Sequence, residues 1–423
     1  MSDPTQGRPA RILLSAYACV PERGSEPGVG WNWFIRLAKR YEVWLLTEEY
    51  ESARAVRPYL SEHYPELVDR VHVVGVPRRR FGEGVWKHLF YYLTYRQWQR
   101  DAYATAARLH GARPFDLVHH LNMIGFREPG YLWQLDAPFV LGPISGAANF
   151  PWRFIKLLPL RDRLSVTIKN SLNFMQLALS RRVRRAIHQA KVVMVANTDN
   201  QKLFERWCGI HGVVMNETGS APVAADVGQE INSTVPLRLV WCGGFVPRKL
   251  LNMALLVVAR VARETAVTLD IVGTGPHAEK IQSYAQALGI QGQCRWHGQL
   301  PHGEAKKKMA EADVLLFTSL VEGTPHVVLE ALSLGRPVLC HAISGQGDVV
   351  TEDCGVKVAV EDPDTSVDRF ANAIAALAAD RGELARLKRG ALERAEALSW
   401  DRLVDRAGAI YDSVLDGCTG DHG

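Results

Sequence analysis

The chain has 423 residues, of which 47% are hydrophobic and 22% are charged. These values are typical of a soluble globular protein, and the length predicts two domains of ordinary size. The net charge is +5, from 50 Lys and Arg residues against 45 Asp and Glu residues. A charge this small does not by itself indicate a nucleic-acid partner.

The segment Met1–Arg11 is polar and lacks the apolar centre of a signal peptide. No run of about 18 apolar residues occurs, so we expect no membrane-spanning segment. The seven cysteines are scattered singly. This spacing predicts small core residues in a reducing compartment, not a zinc site or a disulfide framework.

Short apolar segments alternate with helix-like segments through the first half of the chain. The alternation predicts a doubly wound α/β domain over residues 1–220, with a parallel sheet covered by helices on both faces. Ligands of such sheets bind beyond the carboxyl ends of the strands. The predicted strands are Ile12–Ala18, Val43–Thr47, Val71–Val76, Asp116–Leu121, Phe139–Pro143, Val192–Asn197 and Val213–Asn216.

A glycine-rich segment, Pro21–Trp31, follows the first predicted strand, and the next helix is predicted at Trp31–Arg40. Gly24, Gly28 and Gly30 permit a close approach of the backbone to a ligand. The segment matches neither the dinucleotide-binding fingerprint nor the phosphate-binding P-loop, and a long surface loop is the alternative interpretation.

Two adjacent histidines, His119 and His120, lie near the end of the fourth predicted strand. A lone histidine is more often structural than catalytic, but this strand end faces the expected ligand site. We therefore keep both histidines as candidates and favour His120. Asn122 and Arg127 are further candidates for the same cleft.

Two stretches combine basic and aromatic residues, Arg78–Arg100 and Phe150–Gln189. Such composition suits an anionic membrane surface or a lipid-diphosphate acceptor. The alternative is a pair of packed helical regions whose basic faces point to water. Nucleic acid could bind the same composition, but no nucleic-acid-reading module accompanies it.

Residues 221–235 are polar and aperiodic, which predicts a linker. A second α/β domain is predicted over residues 236–400, and helices are predicted at 251–263, 366–379, 383–398 and 401–414. Asp362 and Asp364 match a metal-binding pattern, but we interpret them as the cap of a helix. The predicted strands are Leu237–Trp241, Leu269–Val272, Arg295–His297, Val314–Phe317, Val338–Ala342 and Val356–Val360.

The segment Val321–Cys340 carries two carboxylates, Glu322 and Glu330, across a predicted strand-to-helix junction. The free N–H groups of a helix's first turn attract phosphate, and a carboxylate accepts hydrogen bonds from sugar or ribose hydroxyls. The arrangement therefore suits an anionic ligand rich in hydroxyl groups. The alternative is an ordinary βαβ unit with two solvated glutamates.

The run E-G-T-P-H-V-V-L-E-A-L-S-L-G-R-P-V resembles the E-x7-E segment of retaining glycosyltransferases of family 4. The resemblance implies the GT-B fold, in which two doubly wound domains face a central cleft and a final helix, here residues 401–423, returns to the first domain. It also implies that Glu322 lies near the donor sugar and that Glu330 binds the ribose. The intervening backbone that would hold diphosphate and sugar belongs to Gly323, Thr324, His326 and Val327.

Other segments resemble the same family. Lys249 matches the lysine that clamps the donor diphosphate, whereas Gly244 stands where the family has an arginine and Leu250 where it has a glycine. The departure moves the arginine's role to Arg248. By the same resemblance the candidate ligand contacts also include Gly28, Gly30, His120, Gly273, Gly298 and Leu300.

The resemblance implies a retaining glycosyltransferase that uses a nucleotide-diphosphate sugar and no metal or other cofactor. Its acceptor would be a glycan, a lipid-linked sugar or a small molecule, and we expect a cytoplasmic protein that is partly peripheral to a membrane. A non-glycosidic coupling enzyme or an inactive sugar-nucleotide binder is one alternative. A membrane-surface adaptor is another, from a different class.

Overall fold

A computed structural model describes residues 8–79, 91–222 and 236–419. The predicted linker lies outside the described residues from 223 to 235, and so do residues 80–90 of the first basic and aromatic stretch. The described chain forms two parallel sheets that are covered by helices. The prediction of two doubly wound α/β domains is therefore confirmed.

The first sheet contains, within the described residues, β1 (Arg11–Ala16), β2 (Glu42–Glu48), β3 (Val71–Val76), β4 (Leu117–Asn122), β5 (Phe139–Ile144), β6 (Val192–Val195) and β7 (Val213–Val214). Their order is β3-β2-β1-β4-β5-β6-β7, and each adjacent pair is parallel. The central strands β1, β4 and β5 are buried at every position because helices cover both faces.

The second sheet contains, within the described residues, β8 (Leu237–Cys242), β9 (Val267–Val272), β10 (Cys294–Gly298), β11 (Val314–Phe317), β12 (Val338–His341) and β13 (Gly355–Val358). Their order is β10-β9-β8-β11-β12-β13, again parallel. The boundaries of the predicted strands differ from the observed ones by at most two residues in both sheets.

The described α-helices of the first domain are α1 (Ser25–Ala38), α2 (Arg54–His63), α3 (Tyr91–Ala112), α4 (Leu160–Leu179), α5 (Arg181–Gln189) and α6 (Thr198–Cys208). Those that follow are α7 (Leu251–Val261), α8 (Ala278–Ala287), α9 (His302–Glu311), α10 (His326–Ser333), α11 (Ser344–Val349), α12 (Pro363–Ala379), α13 (Arg381–Ala397) and α14 (Trp400–Thr419). None of these helices is long and apolar enough to cross a bilayer.

The side chain of Asp362 caps α12. One of its oxygens accepts hydrogen bonds from the backbone N–H groups of Asp364 and Thr365, at 3.0 and 3.1 Å. The interpretation of Asp362 as a helix cap is confirmed, although α12 begins three residues before the predicted start at Ser366.

Helix α1 begins at Ser25, six residues before the predicted start at Trp31. Gly28 and Gly30 therefore lie inside the helix, and the prediction of a glycine-rich loop is wrong at these positions. The cause is close packing, since a Cβ on Gly30 would lie 2.1 Å from the carbonyl oxygen of Ala18. Only glycine allows the helix to approach the end of the preceding segment so closely.

The final helix, α14, packs against α1 of the first domain. Tyr411 is fully buried there, and its hydroxyl is hydrogen-bonded to Nδ1 of His119. Tyr41 donates a 2.8 Å hydrogen bond to Asp412. The chain thus crosses between the domains twice, and its last helix ties the first sheet to the end of the second domain.

The segment between β5 and α4 also joins the domains. Phe150, Phe154 and Leu158 are buried in the core of the second domain, and Asn252 on α7 donates a 2.8 Å hydrogen bond to the carbonyl of Leu157. These apolar side chains belong to the second predicted membrane-facing stretch. They are unavailable to a membrane because they fill the core of the neighbouring domain.

Candidate active site

The two sheets meet at the carboxyl ends of their strands. Asn197, just after β6, donates hydrogen bonds to the carbonyls of Glu322 and Gly323, just after β11, at 3.1 and 3.0 Å. A Cβ on Gly323 would lie 2.7 Å from Cδ1 of Ile124, which follows β4. The loop from 318 to 325 therefore lies in the cleft where ligands of doubly wound sheets bind.

Glu322 is the centre of a charged cluster in this cleft. Its Oε1 atom accepts a 2.7 Å hydrogen bond from Ser319, forms an ion pair with Arg248 and lies 4.0 Å from Nζ of Lys249. The Glu322 and Lys249 side chains are only 13% and 14% exposed. Burial lowers the pKa of Lys249, and the Glu322 carboxylate opposes that shift. One carboxylate thus faces two cations, which leaves a net positive charge for an anionic ligand.

The turn that carries the two cations has an unusual backbone. Pro247–Lys249 form a short 3-10 helix, and Leu250 then adopts φ 46° and ψ 51°, in the left-handed region. This is the position at which the resemblance expects glycine, so a leucine keeps the conformation that a glycine would adopt without strain. Gly244, at the place of the missing arginine, meets no atom nearer to a Cβ position than the Thr274 carbonyl at 4.0 Å.

Three of the predicted ligand contacts lie at the carboxyl ends of neighbouring strands. A Cβ on Gly273, after β9, would lie 2.0 Å from the carbonyl oxygen of Gly243, after β8. Gly273 also donates a 2.7 Å hydrogen bond to the carbonyl of Gly298, at the end of β10. Leu300 packs against the apolar cluster beneath α10. The structure brings Gly273, Gly298 and Leu300 to one edge of the second sheet.

Glu330 lies in the second turn of α10 and faces a small cavity between the domains. Its Oε1 atom is 2.7 Å from Nε2 of His302 on α9. The cavity has a volume of about 130 Å³, and its lining includes Gly28, His302, His326 and Glu330. The structure therefore brings Gly28 and Glu330 together, whereas Gly30 packs against backbone on the other side of α1.

The residues at and just before the start of α10 make different contacts. Thr324 is buried, and its hydroxyl accepts a 3.1 Å hydrogen bond from the N–H of Glu217. The imidazole of His326 lies 3.7 Å from the Glu217 carboxylate. Val327 packs on the core of the second domain, so its backbone N–H is what remains for a ligand. Sequence reasoning placed these residues in the site but did not identify their partner, Glu217.

Glu26 is a second carboxylate that sequence reasoning missed. It lies in the first turn of α1, and one of its oxygens is buried without a hydrogen-bond partner among the described residues. Burial and the nearby Glu217 carboxylate raise its pKa to about 7. Burial opposes protonation of His326, but the hydrogen bond to Glu217 and the charges of Glu217, Glu330 and Glu26 together raise the pKa of the imidazole. The sequence signal of Glu26 is its position inside the glycine-rich segment G-S-E-P-G-V-G, which follows the first strand.

The structure does not bring the two adjacent histidines into the cleft. His119 is held between the carbonyl of Gly142, at 2.6 Å, and the hydroxyl of Tyr411. His120, on the opposite face of β4, is 2% exposed and has no hydrogen-bond partner in the described chain. The preference for His120 as a catalytic residue stays a prediction, and the burial of both rings in the core is an observation against it. Burial lowers the pKa of each ring.

Comparison with known proteins gives the family of the second domain. The family model described as "Glycosyl transferases group 1" matches residues 230–394. This region is therefore similar to the group 1 glycosyltransferase domain. It contains both glutamates, the Arg248–Lys249 turn and the glycines at the strand ends.

Curated relatives and solved structures are also similar to this chain. D-inositol 3-phosphate glycosyltransferase 1 of Catenulispora acidiphila is 34% identical over 143 residues, which cover 34% of this chain and 33% of that protein. Sucrose-phosphate synthase of Thermosynechococcus elongatus superposes with a TM-score of 0.63 at 17% identity over 96% of this chain and 100% of that one. Anabaena HepE, solved with UDP, gives a TM-score of 0.60 at 14% identity over 96% and 100%.

The curated relatives match this chain over only part of their own length. The chain spans from about a fifth to less than half of the length of the curated relatives it matches. The structural likeness covers both domains and shows the GT-B fold, which confirms the predicted architecture.

Proposed function

We propose that the protein is a metal-independent, retaining glycosyltransferase of the hexosyltransferase class. Its donor is a nucleoside diphosphate sugar, and its acceptor is a hydroxyl group of a glycan, a lipid-linked sugar or a small molecule. The observation that carries the proposal is the cluster of Glu322, Arg248 and Lys249 in the cleft, with Glu330 farther along the same segment. The glycosyltransferase names of the relatives support the same reaction class.

In this reaction the acceptor oxygen forms a bond to C1 of the donor sugar as the bond from C1 to the diphosphate oxygen breaks. The proton of the acceptor hydroxyl passes to the departing phosphate, and attack from the departing side retains the configuration. Lys249, Arg248 and the first N–H groups of α10 stabilise the negative charge on the diphosphate. Glu322 stabilises positive charge on the sugar. Glu330 accepts hydrogen bonds from the ribose hydroxyls once the imidazole of His302 has moved off its carboxylate.

Turnover tests the proposal. The purified chain is incubated with UDP-, GDP- and ADP-sugars, together with a panel of hydroxyl acceptors, and free nucleoside diphosphate is measured. We expect that one of these donors releases nucleoside diphosphate. This release should require both an acceptor and the side chain of Lys249. Binding of a nucleotide sugar without turnover across the panel would favour an inactive binder, for which the open space at Gly244 is the supporting observation.

We also infer that the protein works at the cytoplasmic face of a membrane and is peripheral to it. Leu160, Leu164 and Leu179 on α4 are 80%, 64% and 70% exposed, and the first two lie beside Arg161 and Arg163 of the same helix. Binding to anionic vesicles should weaken as salt rises. Vesicle binding without any nucleotide-sugar binding would instead support an adaptor, and no binding at low salt would point to a soluble acceptor.

A further inference from the structure

A cavity of about 590 Å³ lies between α3, α4 and α5, and its lining includes neither Glu322 nor Glu330. Four cations line it, and Glu128 is the single acid among its lining residues. Such an excess of positive charge in a concave site suits an anionic ligand. The four cations are Arg96, Arg127, Lys169 and Arg182.

The carboxylate of Glu128 forms ion pairs with two of these four cations. It lies 2.5 Å from NH2 of Arg96 and 2.6 Å from NH2 of Arg182, and the Glu128 side chain is 6% exposed. A buried carboxylate held between two guanidinium groups has no capacity left for a third cation. Arg127 and Lys169 must therefore find their negative charge elsewhere.

Arg127 and Lys169 have no acidic partner in the described chain. Arg127 is half-buried and donates to the neutral oxygens of Asn173 and Gln176 at 2.5 and 2.6 Å. Lys169, at the rim of the cavity and only partly exposed, has no hydrogen bond or ion pair among the described residues. Burial lowers the pKa of Arg127, and burial together with Arg127 and Arg248 lowers that of Lys169. Two neighbouring cations that repel each other are stabilised by a bound anion.

An exposed apolar stripe leads away from the cavity along α4. Ile168 and Leu172 form part of the cavity wall and are 49% and 47% exposed. The spacing of three or four residues places the members of the stripe on one face of the helix. The stripe consists of Leu160, Leu164, Ile168, Leu172, Met175 and Leu179.

A second cavity adjoins this site on the side of the donor cleft. It has a volume of about 230 Å³ and shares Tyr92, Arg127 and Glu128 with the first cavity. Its far wall contains Glu26 and Ile124, and Ile124 abuts Gly323 beside Glu322. A ligand held at Arg127 can thus extend a sugar or hydroxyl group toward the donor.

We propose that the acceptor is a lipid that carries a phosphate or diphosphate group, that Arg127 and Lys169 bind this group, and that the hydrocarbon chain lies along the apolar stripe of α4. The acceptor hydroxyl then passes Glu26 and enters the cleft. This inference rests on the proposed function, because it assigns the acceptor of the same reaction.

Binding of farnesyl diphosphate to the full chain tests the inference by calorimetry, below the concentration at which the probe aggregates. We expect binding that weakens about tenfold or more in Lys169→Met, because one charge-assisted contact is lost. Lys169→Arg should restore it. Arg161→Met is the matched control, since Arg161 is an exposed cation on the same helix outside the cavity; it should bind like the unaltered protein.

Two further probes separate the phosphate from the lipid. Inorganic pyrophosphate and farnesol should each bind at least tenfold more weakly than farnesyl diphosphate. The double variant Ile168→Ser, Leu172→Ser should lose the advantage of the farnesyl chain and retain the affinity for pyrophosphate. Pyrophosphate binding as tightly as farnesyl diphosphate would overturn the lipid assignment, and equal binding by Lys169→Met would overturn the phosphate site.

Nucleotide binding is measured on the same samples. Binding of a nucleoside diphosphate with no binding of farnesyl diphosphate would overturn this inference and leave the proposed glycosyltransferase standing. Binding of farnesyl diphosphate with no binding of any nucleoside diphosphate would instead contradict the proposed function.

Discussion

The ammonium group of Lys249 lies 4.0 Å from the carboxylate of Glu322, whereas Arg248 is paired directly with the same carboxylate. Both Lys249 and Glu322 are largely buried. The Lys249 ammonium group is therefore attracted by the Glu322 carboxylate but forms no short ion pair with it. In a partly desolvated cleft such a cation is well placed to meet the charge that develops on a departing diphosphate.

Lys249→Ala should lower turnover about 10² to 10³-fold, the usual loss for one preorganised group that stabilises developing charge. Steady-state kinetics with the preferred donor measures this change. Lys307→Ala is the control, because Lys307 is a 71% exposed lysine paired with Glu304 on α9. Equal turnover in the Lys249 and Lys307 variants would remove Lys249 from the site.

The two glutamates should have separable effects. Glu322 lies beside the cations that would hold the diphosphate, so Glu322→Gln should lower kcat with little change in the affinity for the bare nucleoside diphosphate. Glu330 faces the interdomain cavity, so Glu330→Gln should weaken that affinity by about 1 to 3 kcal/mol. Calorimetry and kinetics on both variants measure these effects, and the opposite pattern would reverse the two assignments.

Leu250 should show an inverted preference between alanine and glycine. It is buried, so both truncations should destabilise the protein by about 2 to 5 kcal/mol. Because φ is 46°, Leu250→Gly relieves strain that Leu250→Ala retains, and the glycine variant should be more stable by about 1 kcal/mol.

Leu251 provides the matched control for this comparison. It is 3% exposed and begins α7, where alanine is the better helix former by up to about 1 kcal/mol. Urea unfolding of the four variants measures the order. If Leu250→Ala is more stable than Leu250→Gly, as expected for the Leu251 pair, the backbone of Leu250 is not strained.

Glu26 should make stability depend on pH. Its pKa is raised from 4.5 to about 7, so the folded state holds a proton that the unfolded state releases at lower pH. The unfolding free energy of the unaltered protein should therefore fall, relative to Glu26→Gln, by at most about 3 kcal/mol as pH rises from 4.5 to 7.

Glu217→Gln separates the causes of that shift. It removes the neighbouring carboxylate and keeps the burial of Glu26, so it should reduce the pH dependence without abolishing it. Urea unfolding at several pH values compares the three proteins. A constant difference between the unaltered protein and Glu26→Gln from pH 4.5 to 8 would show that Glu26 titrates normally.

The sheets and the loop-to-helix segment from Glu322 to Glu330 could be predicted because local sequence determines them. Strands such as Val314–Phe317 are buried on both faces and appear as continuous apolar runs. Gly335 ends α10 with φ 65°, as expected of a glycine just beyond a helix. Lys249 and Glu322 were both predicted for the site, and the structure places them in one cluster.

The features that the sequence did not predict depend on contacts between distant residues. His119 could not be distinguished from a cleft residue until Tyr411, 292 positions later, was seen against it. The start of α1 depends on the approach of Gly30 to Ala18, which overrides the loop-like composition. Glu26 and Glu217 acquire their significance from each other across the fold.

A thermal-shift screen with nucleoside diphosphates tests the central claim most directly, because a ligand that binds only the folded state raises Tm by mass action. At a concentration 100-fold above Kd the stabilisation is about 2.7 kcal/mol, which corresponds to a shift of several degrees. We predict such a shift for one of UDP, GDP and ADP in the unaltered protein, and a much smaller shift in Glu330→Gln. The absence of any shift at millimolar nucleotide would contradict the assignment of the cleft to a nucleoside diphosphate sugar.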